Sequence, residues 1–171
     1  MSLNVQSLPS KHEKLCTFIH ELLKNDVTID VIAVQEIWQI QNSNTIQIPG
    51  FNFFHKARAF SRGGGVGFYV NENLSAKIIE NLSSFHEKIF ESLTIEISHK
   101  NQKTLSSNIY RSASPNANLI GNFCEKLETL LSSLNQFNSQ SLVFLDSNIN
   151  LQQILGWEII LTQLLTMGFF N

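Results

Sequence analysis

The chain has 171 residues, of which 43% are hydrophobic and 15% charged, and a formal net charge of −2. That length fits one domain and is too short for two ordinary ones, and the composition excludes an extended disordered chain. A charge so close to zero excludes capture of nucleic acid by the bulk field, so any polyanion must be held by a local patch. No stretch reaches the roughly 18–20 uncharged apolar residues of a membrane span, and Met1-Ser2-Leu3-Asn4 lacks the basic and apolar regions of a secretory signal. Cys16 and Cys124 sit in apolar periodic stretches and read as reduced core residues of an intracellular protein.

In chain order, Leu3 to Gln6 reads as a short strand. Ser10-Lys11-His12-Glu13 has the form of a capping box with Ser10 as N-cap, and Leu15, Phe18, Ile19, Leu22 and Leu23 follow at helical spacing. Val31 to Val34 is a continuous β-branched run of the kind buried on both faces of a sheet, and it ends in Gln35-Glu36. A polar loop runs to the turn signal Pro49-Gly50. Strands are expected over Phe51–Ala57 and Val66–Val70, separated by Arg62-Gly63-Gly64-Gly65, then over Ala76–Ile79, Ser92–Ile97 and Thr104–Tyr110. The three glycines permit positive φ and close backbone approach, but lack the strand–turn–helix context of a nucleotide-binding fingerprint. A helix from about Asn118 to Leu134 carries the stripe Leu119, Phe123, Leu127, Leu130, Leu131 and Leu134. Leu142 to Leu145 is a further strand ending at Asp146, and Leu151 to Met167 reads as a last helix. The pattern is one α/β domain with many strands.

Polar residues fall at the strand ends. Asn4, Glu36, Tyr110, and Asp146 with Asn148 each follow an apolar strand, and strand ends gathered at one rim are the usual place for an active site. Taken singly, each has an ordinary reading as a surface, packed or turn residue; their joint placement is the signal. Carboxylates with amides suit a hard cation such as Mg²⁺, whereas the five scattered histidines do not suit zinc. Lys56, Arg58 and Arg62 cluster beside the triple glycine and offer phosphate contacts along a DNA strand.

Five motifs in order, Leu3-Asn4-Val5-Gln6-Ser7-Leu8, Ile32-Ala33-Val34-Gln35-Glu36, Gly63-Gly64-Gly65-Val66-Gly67, Ile109-Tyr110-Arg111-Ser112 and Leu145-Asp146-Ser147-Asn148-Ile149-Asn150, resemble the endonuclease/exonuclease/phosphatase superfamily, and within it the endonuclease domain of jockey-type non-LTR retrotransposons. The resemblance implies a deoxyribonuclease-like α/β sandwich of two packed sheets, with the helices from Lys11 and Asn118 on the outside. It implies a DNA-nicking phosphodiesterase that uses Mg²⁺ or Mn²⁺ held at Glu36, with Asn4 beside the metal. Tyr110 and Asn148 would bind the phosphate, and Asp146 would orient the attacking water. Arg111, with Arg58 and Arg62, would touch the DNA backbone, and Glu91 would support the site from behind. The partners implied are DNA and, in an intact element, a fused reverse transcriptase; the location implied is nuclear, with no membrane.

The chain departs from the family pattern in three ways. Leu145 stands where glycine is usual, and Ser147 replaces a bulky apolar residue between Asp146 and Asn148. After Asn148 nothing supplies the family's further aspartate and terminal Asp-His pair; residues 151–171 contain no Asp, His or Arg. The expectation is a single domain over 1–171, lacking the C-terminal strands of the sandwich and impaired in activity. Two alternatives stay open: a phosphatase or phosphodiesterase of the same superfamily acting on small molecules or lipids, and a non-catalytic fragment that binds nucleic acid.

Overall fold

The structure, a computed structural model, describes residues 1–149 apart from Phe60, Asn101, Pro115 and Asn138. The expected helix over 151–167 lies outside the described residues. Among the described residues, nine strands form two sheets. The first has the order β1-β2-β4-β3, from β1 (Ser2–Asn4), β2 (Val31–Gln35), β3 (Phe51–Lys56) and β4 (Val66–Asn71). The second has the order β5-β7-β8-β9, from β5 (Ser75–Ile78), β7 (Phe90–His99), β8 (Gln102–Tyr110) and β9 (Gln140–Asp146), with the two-residue β6 (Phe85–His86) paired to β7. Helix α1 (Leu8–Lys24) and helix α2 (Ala117–Asn135) complete the frame, with one-turn 3₁₀ helices at Ser43–Ile46 and Glu80–Leu82.

Strand alternation divides the apolar residues into three layers. Ile32 and Val34 face α1, where Leu8, Leu15 and Ile19 are buried against them. Ala33 of the same strand joins Val66, Phe68 and Val70 against Leu93, Ile95 and Ile97 between the sheets. Leu105 and Ile109 face α2, which buries Phe123, Leu127, Leu130, Leu131 and Leu134. Full burial of such side chains contributes roughly 1.5–3 kcal/mol each. The expected two-sheet sandwich with outer helices is therefore observed.

Three local expectations are corrected. The first helix begins at Leu8, not after Ser10, because Pro9 suits the first turn, where its missing N–H has no partner to lose. Ser10 lies within that turn and donates its hydroxyl to the Ser7 carbonyl at 3.1 Å. The first strand stops at Asn4 because Gln6 and Ser7 take φ of 44° and 87°, which turns the chain into the helix. Phe18 and Leu23 share the helical spacing but face solvent; only the Leu8, Leu15, Ile19 line is buried. At α2 the reading holds, and Asn116 caps the helix by accepting from the Asn118 N–H at 3.0 Å.

Each sheet contains one parallel pair joined through a helix: β1-α1-β2 in the first and β8-α2-β9 in the second. The C-terminal ends of these four strands meet at one rim of the sandwich, and the candidate site is built there.

Candidate active site

Side-chain parity explains the convergence. On β1, Leu3 packs toward α1, so Asn4 points to the side between the sheets. On β8, Ile109 faces α2 and Tyr110 faces the other sheet; on β9, Leu145 faces α2 and Asp146 shares the inter-sheet side with Phe144. Glu36, next after Gln35 at the end of β2, would by parity point to the α1 side. Its φ of 54° breaks the alternation and brings its carboxylate to Asn4. The Asn4 amide Nδ2 donates to Glu36 Oε1 at 2.8 Å and to Asp146 Oδ2 at 2.7 Å. Three residues drawn from both sheets and 142 positions of sequence separation thus share one amide group.

The Tyr110 side chain lies beside Glu36 and Ser112. Burial, reinforced by the neighbouring Glu36 carboxylate, pushes its pKa up to about 12, although Ser112 and Arg58 pull the other way. The phenol is protonated at neutral pH, so its chemistry here is donation of a hydrogen bond.

Two carboxylates held together by a neutral amide leave negative charge uncompensated at a solvent-open rim. The oxygens of Glu36 and Asp146 are hard donors of the kind that Mg²⁺ or Mn²⁺ takes while keeping waters, and the Asn4 amide, whose Nδ2 faces them and whose Oδ1 accepts the Gln6 N–H at 3.3 Å, would join them by turning its oxygen inward. The residues fit such an ion. Among the described residues no group of three His, Cys, Asp or Glu side chains stands together, so a metal here would rest on two carboxylates and an amide.

Asn148 is exposed at the same rim, but its amide Nδ2 donates to the Arg111 carbonyl at 2.8 Å. Arg111 is 1% exposed, contrary to its expected place on the DNA. Its guanidinium donates through Nε to the Ser147 carbonyl at 2.7 Å and through Nη2 to the Asn148 carbonyl at 2.8 Å. One buried arginine therefore shapes the loop after β9, on which Asn148 sits at φ 49°.

Arg58 is likewise not a surface contact. It pairs with Glu91, which is fully buried, through Nε at 2.7 Å and through Nη2, and it donates to Ser112 Oγ at 2.6 Å. The other Glu91 oxygen accepts the Gly65 N–H at 2.7 Å. Gly63, Gly64 and Gly65 all take positive φ, and a Cβ at Gly64 would collide with the Arg58 guanidinium. The triple glycine thus lets the backbone close over a buried ion pair. This pair joins the β3–β4 loop of one sheet to β7 of the other and supports Ser112, hence Tyr110. Of the three arginines expected on DNA, only Arg62 is exposed, with its guanidinium 4.7 Å from the Trp38 ring centroid.

Two features escaped the sequence reading. Asn108, fully buried mid-strand, donates to the Val34 carbonyl at 3.0 Å and the Gly67 carbonyl at 2.9 Å, and accepts from Gln35 Nε2 at 2.6 Å. It bolts the two sheets together just beneath the rim. A buried polar residue within the run Ser106-Ser107-Asn108 was the available signal. The second is an open groove of about 510 Å³ beside the rim, lined by Trp38 and Arg62. A lone tryptophan after Gln35-Glu36 gave no periodic signal that could have marked it.

The model of the Endonuclease/Exonuclease/phosphatase family matches residues 1–98. No curated protein sequence matches the chain. Among solved structures, the endonuclease domain of TRAS1, a telomere-specific non-LTR retrotransposon, is similar at TM-score 0.65 and 10% identity, over 98% of this chain and 70% of that one. TDP2 of D. rerio, complexed with a single-strand DNA product, is similar at TM-score 0.59 and 15% identity, over 98% and 63%. The human nocturnin catalytic domain is similar at TM-score 0.57 and 12% identity, over 87% and 63%. The chain spans about two thirds of the length of these structures. At such identities the likeness is one of fold, and it is the match over more than half of the sequence, carrying Asn4 and Glu36 within it, that decides the matter: the chain belongs to the endonuclease/exonuclease/phosphatase family.

Proposed function

We propose that this chain carries the catalytic rim of a divalent-metal-dependent phosphodiesterase that acts on DNA, of the kind found in retrotransposon endonucleases. The observation that carries the reading is the joining of Glu36 and Asp146, from opposite sheets, through the Asn4 amide. The TRAS1 endonuclease and the DNA-bound TDP2 support a nucleic-acid substrate by likeness of fold.

Glu36 with Asn4 would hold Mg²⁺ or Mn²⁺, which when bound supplies Lewis-acid stabilisation of charge on the phosphate. Asp146 accepts the proton of a water aligned on the phosphorus or orients that water. Tyr110, kept protonated by burial and braced by Ser112 and Arg58, donates a hydrogen bond to a phosphate oxygen. Asn148, exposed on the loop that Arg111 shapes, gives one amide N–H to the Arg111 carbonyl and would offer the other to a second phosphate oxygen. Each such donor is worth about 10²–10³ in rate. No histidine follows His99 within the 171 residues, so these residues by themselves hold no Asp-His pair after Asn148 and are expected to cut slowly.

The test is nicking of supercoiled plasmid by purified protein. The expected result is slow, Mg²⁺-dependent nicking that EDTA stops and that Glu36→Ala and Asp146→Ala each remove. Cleavage that survives both substitutions, or no cleavage and no DNA binding under any metal, overturns the reading.

A further inference from the structure

We propose that the groove beside the rim is a subsite for one unpaired nucleobase of the bound strand, with Trp38 and Arg62 as its stacking platform; this rests on the nucleic-acid reading above. The groove of about 510 Å³ is lined by Trp38, Gln39, Gln41, Asn42, Thr45 and Arg62 among others. Trp38 stands two residues past Glu36, a separation of at most about 7 Å along the chain. Ser7, also in the lining, donates its N–H to the Glu36 main-chain carbonyl at 2.8 Å, so the groove adjoins the rim residue Glu36.

The chemistry of the lining selects its occupant. The Arg62 guanidinium lies over the indole, and Arg62 is exposed, so the stack ends in a flat cationic face open to solvent. Aromatic and guanidinium planes take nucleobases of any sequence, because every base offers a π-face. Gln39, Gln41, Asn42 and Thr45 are exposed, neutral, and supply both donors and acceptors, which matches the edge of a base rather than a second phosphate. Arg62 is the one charged residue of the lining and balances the single phosphate that a nucleotide brings.

The platform is also held in place before any ligand arrives. The Trp38 N–H donates to the Gly64 carbonyl at 2.8 Å, and Trp38 sits at φ 63°, a conformation that aims the indole away from the strand path. The Arg62 carbonyl accepts from buried Arg58 Nη1 at 3.2 Å. Gln39 Nε2 ties the loop after β2 to the Ala59 carbonyl at 3.0 Å. These three tethers hold the platform residues, which lowers the entropic cost of binding. A base seated here requires an unpaired nucleotide, so the strand would bind as single-stranded or locally opened DNA.

Fluorescence anisotropy with a short, end-labelled single-stranded deoxyoligonucleotide tests the subsite. Stacking of a base is worth about 1–3 kcal/mol, so Arg62→Ala, which removes the face the base meets, and Trp38→Ala, which removes the ring beneath it, are each expected to weaken binding by about 5- to 150-fold, and Trp38→Phe scarcely at all. Scanning one abasic site along the oligonucleotide should find a position that costs the wild-type protein affinity and costs Trp38→Ala none. If Trp38→Ala does not fold, Arg62→Ala with the same scan decides. Binding that is indifferent to both substitutions, or an abasic scan that is flat or affects wild type and variant alike, overturns the subsite while leaving the nuclease reading intact. Absence of oligonucleotide binding by a wild-type protein that still nicks plasmid overturns the subsite alone, and absence of both overturns both. Loss of nicking in Glu36→Ala with oligonucleotide affinity and its Trp38 dependence retained supports both.

Discussion

The two β-α-β units that meet at the rim have the same topology and are held by different means. In the first, β1-α1-β2, the loops after the strands are joined main chain to main chain: Val5 N–H to the Gln35 carbonyl at 2.9 Å, Ser7 to Glu36 at 2.8 Å and Leu8 to Ile37 at 3.1 Å. In the second, β8-α2-β9, a single main-chain bond, Arg111 N–H to the Asp146 carbonyl at 3.0 Å, is supplemented by one buried side chain, with the Arg111 guanidinium reaching the carbonyls of Ser147 and Asn148 at 2.7 and 2.8 Å. Backbone bonding distributes the hold over several residues and tolerates side-chain change. A single guanidinium concentrates it, so the second unit is the more fragile. The Arg58–Glu91 pair, which bridges the sheets near both units, is more concentrated still.

The largest expected effect is at that bridge. Glu91→Ala leaves the buried Arg58 charge and the Gly65 and Lys88 N–H groups without their partner and should cost about 3–5 kcal/mol in a urea unfolding series. The double change Arg58→Met with Glu91→Leu should recover much of the loss, because a buried pair replaced by apolar groups of similar volume is often neutral. A loss below about 1 kcal/mol for Glu91→Ala would remove the bridge from the account.

Next is the contrast between the units. Arg111→Leu should cost about 3 kcal/mol, since hydrogen bonds to a charged group are lost and two carbonyls are stranded. Asn4→Ala, at the exposed end of the first unit, should cost less than about 1 kcal/mol. Equal losses at the two positions would show that the units are held alike.

A smaller effect, of opposite sign, is expected at Glu36. Its left-handed backbone is strained for glutamate and tolerated by asparagine, so Glu36→Asn should raise stability by about 0.5–1 kcal/mol while removing the carboxylate. Thermal melts of the two proteins check the sign; a destabilised variant would mean that the φ of 54° is not a cost borne for the site.

The smallest effect is a pH dependence on β3. Burial lowers the His55 pKa below its ordinary 6.5, and its Nδ1 is buried with no hydrogen-bond partner among the described residues. The unfolded chain therefore takes up a proton first as pH falls through 6.5, and stability drops from there until the folded-state pKa is passed. Above 6.5 both states are neutral and His55 contributes no slope. His55→Phe should flatten the acid side of the stability curve, as read by melts across that range; an unchanged slope would place the acid sensitivity elsewhere.

Much of this architecture was legible in one dimension. Val31 to Val34 could be read as a doubly buried strand because both its neighbours in space are apolar, and α2 because Phe123, Leu127, Leu130, Leu131 and Leu134 repeat with the helix period. Five ordered motifs pointed to the family, and Asn4, Glu36 and Asp146 were marked by standing where apolar runs stop. The arginines were not legible. Arg58 and Arg111 lie in polar, glycine- or serine-rich stretches that look solvated, and charge in a sequence looks the same whether it meets water or Glu91.

By itself the sequence determined which segments become strands and helices, and which polar residues stand at strand ends, because both follow from local periodicity and backbone preference. Only the tertiary structure decided where those residues point and what they meet. Glu36 reaches Asn4 because a left-handed turn overrides strand alternation. Asn108 becomes a bolt between sheets because Val34 and Gly67, far away in the chain, bring their carbonyls to it. Arg62 stays exposed while Arg58 and Arg111 are buried, since burial depends on what packs over a side chain and not on its neighbours in sequence.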